Sequence, residues 1–295
     1  MIVLKNIMVN HYTKIGLGTV QFGMYYGISN SVGKTKSTEV SKLLDTAEKY
    51  GIDLLDTASA YGDAEKQIGE NMPERFKIVS KFMPPEQGDS VNDLLEASLK
   101  QLKKETLYGY LAHRPLALIQ NGKVWDQLHE LKEKGVIQKI GFSLNSPDEA
   151  EMLLEAGFIP NLVQLPYNYF DRRFESLINS LKKNGCEIHA RSVFLQGLFF
   201  MKPDDLSSYF IEVKKPLIEL QKSVTNLTGS LLHFVLNHPL IDRVIIGVEN
   251  NRQLVQNLES IKVARQLPNL GYQVSEHIVS PSNWPEKNDL YIRSK

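Results

Sequence analysis

The stretch GVIQKIGFSLNSPDEAEMLLEAG, residues 135–157, decides the fold of this chain. Its first half, Val136–Phe142, is mostly apolar and predicts a buried strand. Its second half, Pro147–Ala156, begins with a proline, which is favoured in the first turn of a helix. It is closed by Gly157, and glycine is favoured just beyond the last turn. The stretch therefore predicts one strand followed by one helix.

The same strand and helix unit recurs along most of the chain. Further strands are predicted at Lys14–Gly18, Ile52–Leu55, Phe76–Ser80, Leu107–Ala112, Leu162–Leu165, Glu187–Arg191 and Arg243–Ile246. Further helices are predicted at Ser37–Tyr50, Ala64–Met72, Ser90–Leu102, Gly122–Lys134, Phe174–Lys183, Phe210–Val224, Ser230–Leu236 and Asn251–Ser260. Alternation of this kind predicts a parallel sheet, and eight units of roughly 30 residues are typical of a (β/α)8 TIM barrel of the α/β class.

The structural alternative is an open, doubly wound sheet. Its phosphate-binding motif, GxGxxG after the first strand, is incomplete here because Gly16–Gln21 lacks the third glycine. Residues after Val263 lose the repeating pattern. We therefore predict one barrel domain over residues 1–295, with residues 263–295 as a C-terminal tail over the barrel.

The amino-acid composition of the chain limits the kinds of binding partner that are expected. The 295 residues include 34 Lys and Arg against 34 Asp and Glu, so the formal net charge is zero and no nucleic-acid partner is expected. No run approaches the roughly 18 apolar residues of a membrane helix, so no membrane partner is expected. Met1–Met8 lacks the pattern of a signal peptide, and a cytoplasmic location is the expectation.

Ionisable residues follow three neighbouring strands at their carboxyl ends, where a barrel carries its chemistry. Asp56 ends the second strand, Lys81 the third and His113 the fourth, and Tyr61 follows five residues after Asp56. Each alone has an ordinary structural explanation, such as a turn cap or a solvated side chain. Their joint placement on one rim favours a catalytic site.

These four residue types suit the reduction of a carbonyl group. The pKa of a tyrosine is about 10, too high for efficient proton transfer near neutrality, and a nearby ammonium group lowers it. Asp56 would orient such an ammonium on Lys81, and His113 would donate a hydrogen bond to a substrate oxygen. The combination can protonate an oxygen while its carbonyl carbon is reduced.

An ordered set of motifs resembles the aldo-keto reductase family. The set comprises Gly16–Gly23, Asp56–Ala58, Tyr61–Glu65, Ile68-Gly69, Ser80-Lys81, His113, Ile140–Ser143, Gln164 and Ile246-Gly247. The resemblance implies a (β/α)8 barrel and an NADPH-dependent carbonyl reductase without a metal. It further implies the catalytic set Asp56, Tyr61, Lys81 and His113, with Tyr61 as the proton donor.

The resemblance also implies an extended nicotinamide dinucleotide across the barrel mouth. Gly18, Thr19, Val20 and Asp56 would line the nicotinamide ribose, and Ser143 and Gln164 would bind the carboxamide. Arg191 stands where many members carry an aromatic residue that stacks on the nicotinamide.

The cofactor phosphates are expected at the loops after the last two strands. The residues concerned are Ser192, Phe194, Gln196, Gly197, Gly247, Glu249 and Asn250, with Gln253 and Asn257 on the following helix. NADPH is the expected cofactor on family grounds, with NADH as the alternative. Arg252 is the nearby cation for a 2′-phosphate, whereas Glu249 would repel that group.

A small-molecule carbonyl compound, namely an aldehyde, a ketone or a sugar, is the expected substrate. Candidates for its pocket are Tyr25, Phe82, Arg114 and Tyr169. Arg114, beside His113, favours an anionic or a polyol substrate.

Two other functions fit the same barrel. Lys81 could form a Schiff base, as in an aldolase, but this needs a neutral amine, and a neighbouring Asp56 opposes it. A nucleotide-sensing interaction protein with weak turnover is the alternative from another class. The seven histidines show neither HxxxH nor HxH spacing, and no metal site is predicted.

Overall fold

A computed structural model describes residues 11–30, 32–71, 73–86 and 89–285. Within these residues, eight parallel strands close into a barrel in chain order. The strands are β1 (Ile15–Gly18), β2 (Leu54–Asp56), β3 (Lys77–Phe82), β4 (Leu107–Ala112), β5 (Ile137–Ser143), β6 (Leu162–Pro166), β7 (Glu187–Arg191) and β8 (Arg243–Gly247). β1 pairs with β8 from Ile15↔Val244 to Gly18↔Gly247, which completes the ring. The predicted (β/α)8 TIM barrel is confirmed.

Helices connect the strands. They are α1 (Val20–Gly23), α2 (Ser37–Lys49), α3 (Ala64–Gly69), α4 (Val91–Leu102), α5 (Ala117–Gln120), α6 (Lys123–Glu133), α7 (Pro147–Glu155), α8 (Glu175–Lys183), α9 (Ile211–Ser223), α10 (Leu227–Leu236), α11 (Asn251–Ile261) and α12 (Glu276–Val279). Short 3-10 turns lie at Pro73–Arg75, Leu195–Phe200, Pro203–Asp205, Ser208–Phe210 and Pro281–Asn283.

Local sequence explains where the helices begin and end. Ser90 caps α4 in a capping box with Asp93, and Ser146 caps α7 by accepting from the Glu149 amide. The prediction of a helix over Ala64–Met72 is wrong at its end, because α3 stops at Gly69. Pro73 follows closely and disfavours helical backbone before it; Met72 lies outside the described residues.

An apolar layer fills the inside of the barrel. Leu54, Val79, Leu111, Leu162 and Ile245, from five different strands, form one buried cluster there. Side chains two residues apart on a strand share a face. The residues two positions after Leu54, Val79 and Leu111 therefore point into the barrel mouth as well. The apolar layer is the floor of that mouth.

Within the described residues, every helix is too short or too polar to cross a lipid bilayer.

A polar cluster lies at the opposite, amino-terminal end of the strands. The Glu187 carboxylate accepts hydrogen bonds from Tyr108 Oη at 2.7 Å, from Lys139 Nζ, and from His189 Nε2 at 2.7 Å. Burial alone would raise the pKa of Glu187, but the hydrogen bonds from His189, Lys139 and Tyr108 hold it well below its usual range. The charged carboxylate therefore stabilises the folded barrel.

Replacing Glu187 should weaken the barrel. We expect Glu187→Gln to lower the free energy of unfolding at pH 7 by about 2–3 kcal/mol, because charge-assisted hydrogen bonds are lost. Since folding depresses this pKa, its contribution is fully present above the unfolded value of about 4.3 and declines progressively as the pH falls from there toward the depressed folded value. Urea unfolding at pH 7 and pH 3 measures both effects.

Glu70→Gln is the matched control for this experiment, because Glu70 pairs with Lys66 on the surface at 3.9 Å. A loss that is equal in the two variants, or a Glu187 effect that is no smaller at pH 3 than at pH 7, contradicts the assignment.

Candidate active site

One cavity of about 610 Å³ opens at the carboxyl ends of the strands. Asp56, Tyr61 and His113 line it, and Lys81 lies fully buried directly behind them. The structure therefore brings together all four residues that the sequence nominated for catalysis.

A buried ion pair joins β2 to β3 at the cavity. Lys81 Nζ lies 2.7 Å from Asp56 Oδ1 and donates to the Thr57 carbonyl at 2.8 Å. Gln164 Nε2, on β6, donates to the second carboxylate oxygen, Asp56 Oδ2, at 2.6 Å. Burial alone would lower the pKa of Lys81, but the Asp56 carboxylate outweighs it and raises that pKa. Lys81 is therefore held as an ammonium ion.

Two glycines fix the position of Tyr61. A Cβ on Gly23 would lie 1.6 Å from the Tyr61 carbonyl oxygen, and Gly62 adopts a left-handed φ of +59°. The segment after β1 can therefore pack directly against the turn that carries Tyr61. The tyrosine ring lies with its centroid 5.1 Å from Lys81 Nζ and 5.7 Å from the His113 ring, which it meets edge to face.

His113 is neutral at physiological pH. Burial, reinforced by the positive charge of Lys81, lowers the pKa of His113 to about 4. Its backbone amide donates to the Phe82 carbonyl at 2.9 Å, which continues the β3 and β4 pairing past the strand end. Its buried Nδ1 has no hydrogen-bond partner among the described residues. A neutral imidazole can donate one hydrogen bond into the cavity.

The residues nominated for the nicotinamide side also border the cavity. They are Gly18, Thr19, Val20, Asp56, Ser143, Gln164 and Arg191. Arg191 reaches across from β7 and donates to the Leu144 carbonyl at 2.9 Å, to Asn145 Oδ1 at 2.8 Å and to Ser192 Oγ at 3.1 Å. These acceptors are all neutral.

Most of the residues that the sequence nominated for binding the cofactor phosphates line the same cavity. These are Ser192, Phe194, Gln196, Gly197, Gly247, Glu249 and Gln253. Asn250 and Asn257 lie outside the cavity lining. The Asn250 side chain instead caps α11 by accepting from the Gln253 amide at 2.9 Å, and Asn257 is buried within that helix.

Of the four candidates for the substrate pocket, only Arg114 lines this cavity. Phe82 is buried and packs on Tyr110, because it follows Lys81 and so faces the other side of β3. Tyr169 borders a separate surface pocket of about 460 Å³, and Tyr25 donates to the Asn30 carbonyl in its own loop.

Sequence reasoning missed several residues of the cavity wall. They include Gln21, Gly27, Ser29, Ala60, Met83, Pro166, Phe200 and the tail residues Val279–Ser282. Arg173 anchors the tail by donating to Glu276 Oε1 at 2.6 Å and to Ser280 Oγ at 3.2 Å. The loss of the strand and helix pattern after Val263 was the one signal that this segment had a different role.

Comparison with known proteins identifies the family. Residues 14–269 match the model of the aldo/keto reductase family, so the chain belongs to it, as the motifs predicted. An uncharacterized oxidoreductase of Bacillus subtilis, YqkF, is 23 % identical, and the match covers 86 % of this chain and 88 % of that protein.

Solved structures share the fold. The holo form of an aldo-keto reductase from Bacillus halodurans superimposes with a TM-score of 0.68 at 20 % identity, over 94 % of this chain and 95 % of that one. An aldo/keto reductase from Klebsiella pneumoniae, in complex with NADP and acetate, gives a TM-score of 0.60 at 21 % identity, over 87 % of each chain. The family and its oxidoreductase members make this protein an NAD(P)H-dependent oxidoreductase of carbonyl or CH–OH groups.

The protonation state of His113 can be measured directly. In a histidine-labelled sample, we expect the NMR signal of His113 to titrate with a midpoint near pH 4, because burial and Lys81 disfavour the imidazolium. The His113→Asn variant, which lacks that signal, supplies the resonance assignment. A midpoint close to the ordinary value of about 6.5 contradicts the described environment.

Proposed function

We propose that this protein is an NADPH-dependent reductase that converts an aldehyde, ketone or sugar carbonyl to an alcohol, with Tyr61 as proton donor. The observation that carries the proposal is the convergence of Asp56, Tyr61, Lys81 and His113 at one cavity in the barrel mouth. Membership of the aldo/keto reductase family supports the same reaction class.

The cavity residues fit an extended dinucleotide. Gly247 is exposed at the cavity. A Cβ at this position would lie only 2.9 Å from the Gln21 side-chain nitrogen, so a glycine leaves space there that a larger residue would fill. Ser192, Leu195, Gln196 and Gly197 all have positive φ. Backbone in this conformation can turn successive N–H groups toward an anion. When bound, NADPH supplies the hydride that goes to the carbonyl carbon.

Side chains of the protein donate the proton and stabilise the charge that its transfer creates. Tyr61 gives its phenolic proton to the carbonyl oxygen, and the Lys81 ammonium stabilises the negative charge that develops on the phenol. Asp56 keeps that ammonium charged and in place through the 2.7 Å contact. Neutral His113 donates a hydrogen bond to the same carbonyl oxygen and orients it.

The buried ion pair argues against an aldolase. A Schiff base requires a neutral amine that can attack a carbonyl carbon. The Asp56 carboxylate raises the pKa of Lys81, and the Lys81 side chain is fully buried. Lys81 is therefore suited to stabilising charge and not to nucleophilic attack.

Removing the phenolic hydroxyl tests the proton donor. We expect Tyr61→Phe to lower kcat for aldehyde reduction by at least about 100-fold, the usual share of general acid catalysis. Binding of NADPH, followed by fluorescence titration, should be retained. Tyr272→Phe is the matched control, since Tyr272 lies outside the cavity and its hydroxyl contacts Glu219 at 3.0 Å. Turnover of Tyr61→Phe near that of the control rules out the role.

Cofactor preference depends on the first turn of α11. Arg252 is exposed there and forms no ion pair with the described residues, so it is free to bind a 2′-phosphate. We expect kcat/KM to be higher with NADPH than with NADH, and Arg252→Gln to reduce that ratio about tenfold through loss of a charge-assisted contact. Steady-state kinetics with both cofactors measure the ratio. A kcat/KM for NADH far above that for NADPH overturns the preference.

A further inference from the structure

Arg114 occupies a distinctive place in the cavity. It directly follows His113 at the end of β4, lines the same cavity and is exposed there. Within the described parts of the chain, its guanidinium group forms neither an ion pair nor a hydrogen bond. An arginine side chain has five N–H donors in a planar fork that matches carboxylate and phosphate oxygens.

Three arginines elsewhere in the described structure are paired with carboxylates. Arg75 contacts Asp45 and Glu48, Arg173 contacts Asp171 and Glu276, and Arg243 contacts Asp53. These three arginines lie outside the cavity lining. Unlike these three, Arg114 and Arg191 line the cavity and have no carboxylate within ion-pair distance among the described residues.

The acidic side chains near the barrel mouth do not neutralise the positive charge of Arg114. Asp56 is already compensated by Lys81 at 2.7 Å. Glu249 follows β8, which lies across the eight-stranded ring from β4. On the near side, Glu149 accepts from the Asn145 amide at 2.7 Å.

A second guanidinium group adds to the positive potential. Arg191 lines the same cavity and donates only to neutral acceptors at the end of β5 and on Ser192. The charges of both Arg191 and Arg114 act on His113. A cleft with such walls concentrates anions.

We propose that the substrate is a carbonyl compound with a carboxylate or phosphate group, which Arg114 binds while the carbonyl group lies at Tyr61 and His113. The proposal rests on the reductase function proposed above. Hydride from NADPH and the proton from Tyr61 convert C=O to CH–OH, and the anionic group leaves unchanged. Ionised acceptors form hydrogen bonds about twice as strong as neutral ones, so an anion is favoured over a neutral polyol.

Matched pairs of aldehydes test the proposal. The probes are succinic semialdehyde against butanal, and glyceraldehyde 3-phosphate against glyceraldehyde, each with saturating NADPH. We expect the charged member of at least one pair to have a kcat/KM at least tenfold higher. The pair with the larger ratio distinguishes a carboxylate from a phosphate.

Variants assign the effect to Arg114. Arg114→Gln should reduce the charged-to-neutral ratio at least tenfold, mainly through KM for the anionic aldehyde. Arg265→Gln, which removes an exposed arginine outside the cavity lining, should keep the wild-type ratio. Equal ratios in wild type and Arg114→Gln, or a preference for neutral glyceraldehyde over both anionic aldehydes, overturn the proposal.

Failure of the reductase function gives a different result. If none of the four aldehydes is reduced with NADPH or NADH, the proposed function fails, and calorimetric titration tests the anion site separately. Succinate should then bind more tightly than 1,4-butanediol, and Arg114→Gln should abolish the difference. Equal binding of the two compounds overturns the anion site.

Discussion

The buried ion pair between Lys81 and Asp56 is the constraint on which the barrel mouth depends. Moving two charges out of water costs several kcal/mol per ion, and only close geometry with further hydrogen bonds offsets it. Here the 2.7 Å contact, the Thr57 carbonyl and the Gln164 amide complete that set. These groups come from β2, β3 and β6, so the ion pair is stable only in a correctly closed barrel.

The barrel mouth contains two kinds of positive charge, one paired with a carboxylate and one not. Lys81 is compensated and buried, so it acts on its immediate neighbours, above all the Tyr61 ring at 5.1 Å. Arg114 and Arg191 lack carboxylate partners in the described structure and face the cavity. His113 stays neutral because burial, reinforced by these positive charges, lowers its pKa. The proposed chemistry therefore uses the fixed internal charge of Lys81, whereas the proposed recognition of an anionic substrate uses the charge at the cavity wall.

Strand alternation explains how much of this could be predicted from the sequence. The repeating pattern predicted β4 (Leu107–Ala112) and β7 (Glu187–Arg191) with the bounds that the structure has. The predicted strand ends identified Asp56, Lys81 and His113 as candidate site residues. The same alternation would have excluded Phe82, because it follows an inward-facing lysine and must face the helices. Asn250 could also have been recognised as a helix cap, since asparagine favours that position.

Tertiary packing decided the rest. Tyr169 follows β6, where its orientation depends on a distant aromatic partner, Phe234, which it meets edge to face at 5.9 Å. The tail residues Val279–Ser282 reach the cavity because Arg173 holds Glu276 and Ser280, contacts separated by more than 100 residues in sequence. Neither a periodic pattern nor a local motif encodes contacts of that kind.

The apolar layer inside the barrel limits the routes by which protons can reach the active-site cavity. Leu54, Val79, Leu111, Leu162 and Ile245 separate the Tyr61 end from the Glu187 and His189 end. Apolar side chains cannot relay protons. Glu187 and His189, beneath this layer, therefore cannot return a proton to the Tyr61 phenol above it. In the proposed mechanism, replacement protons would therefore reach Tyr61 from the side of the cavity, whose wall includes Phe200 and Ser280. Reprotonation of the proposed acid is thereby linked to the same cavity that the proposed substrate would enter.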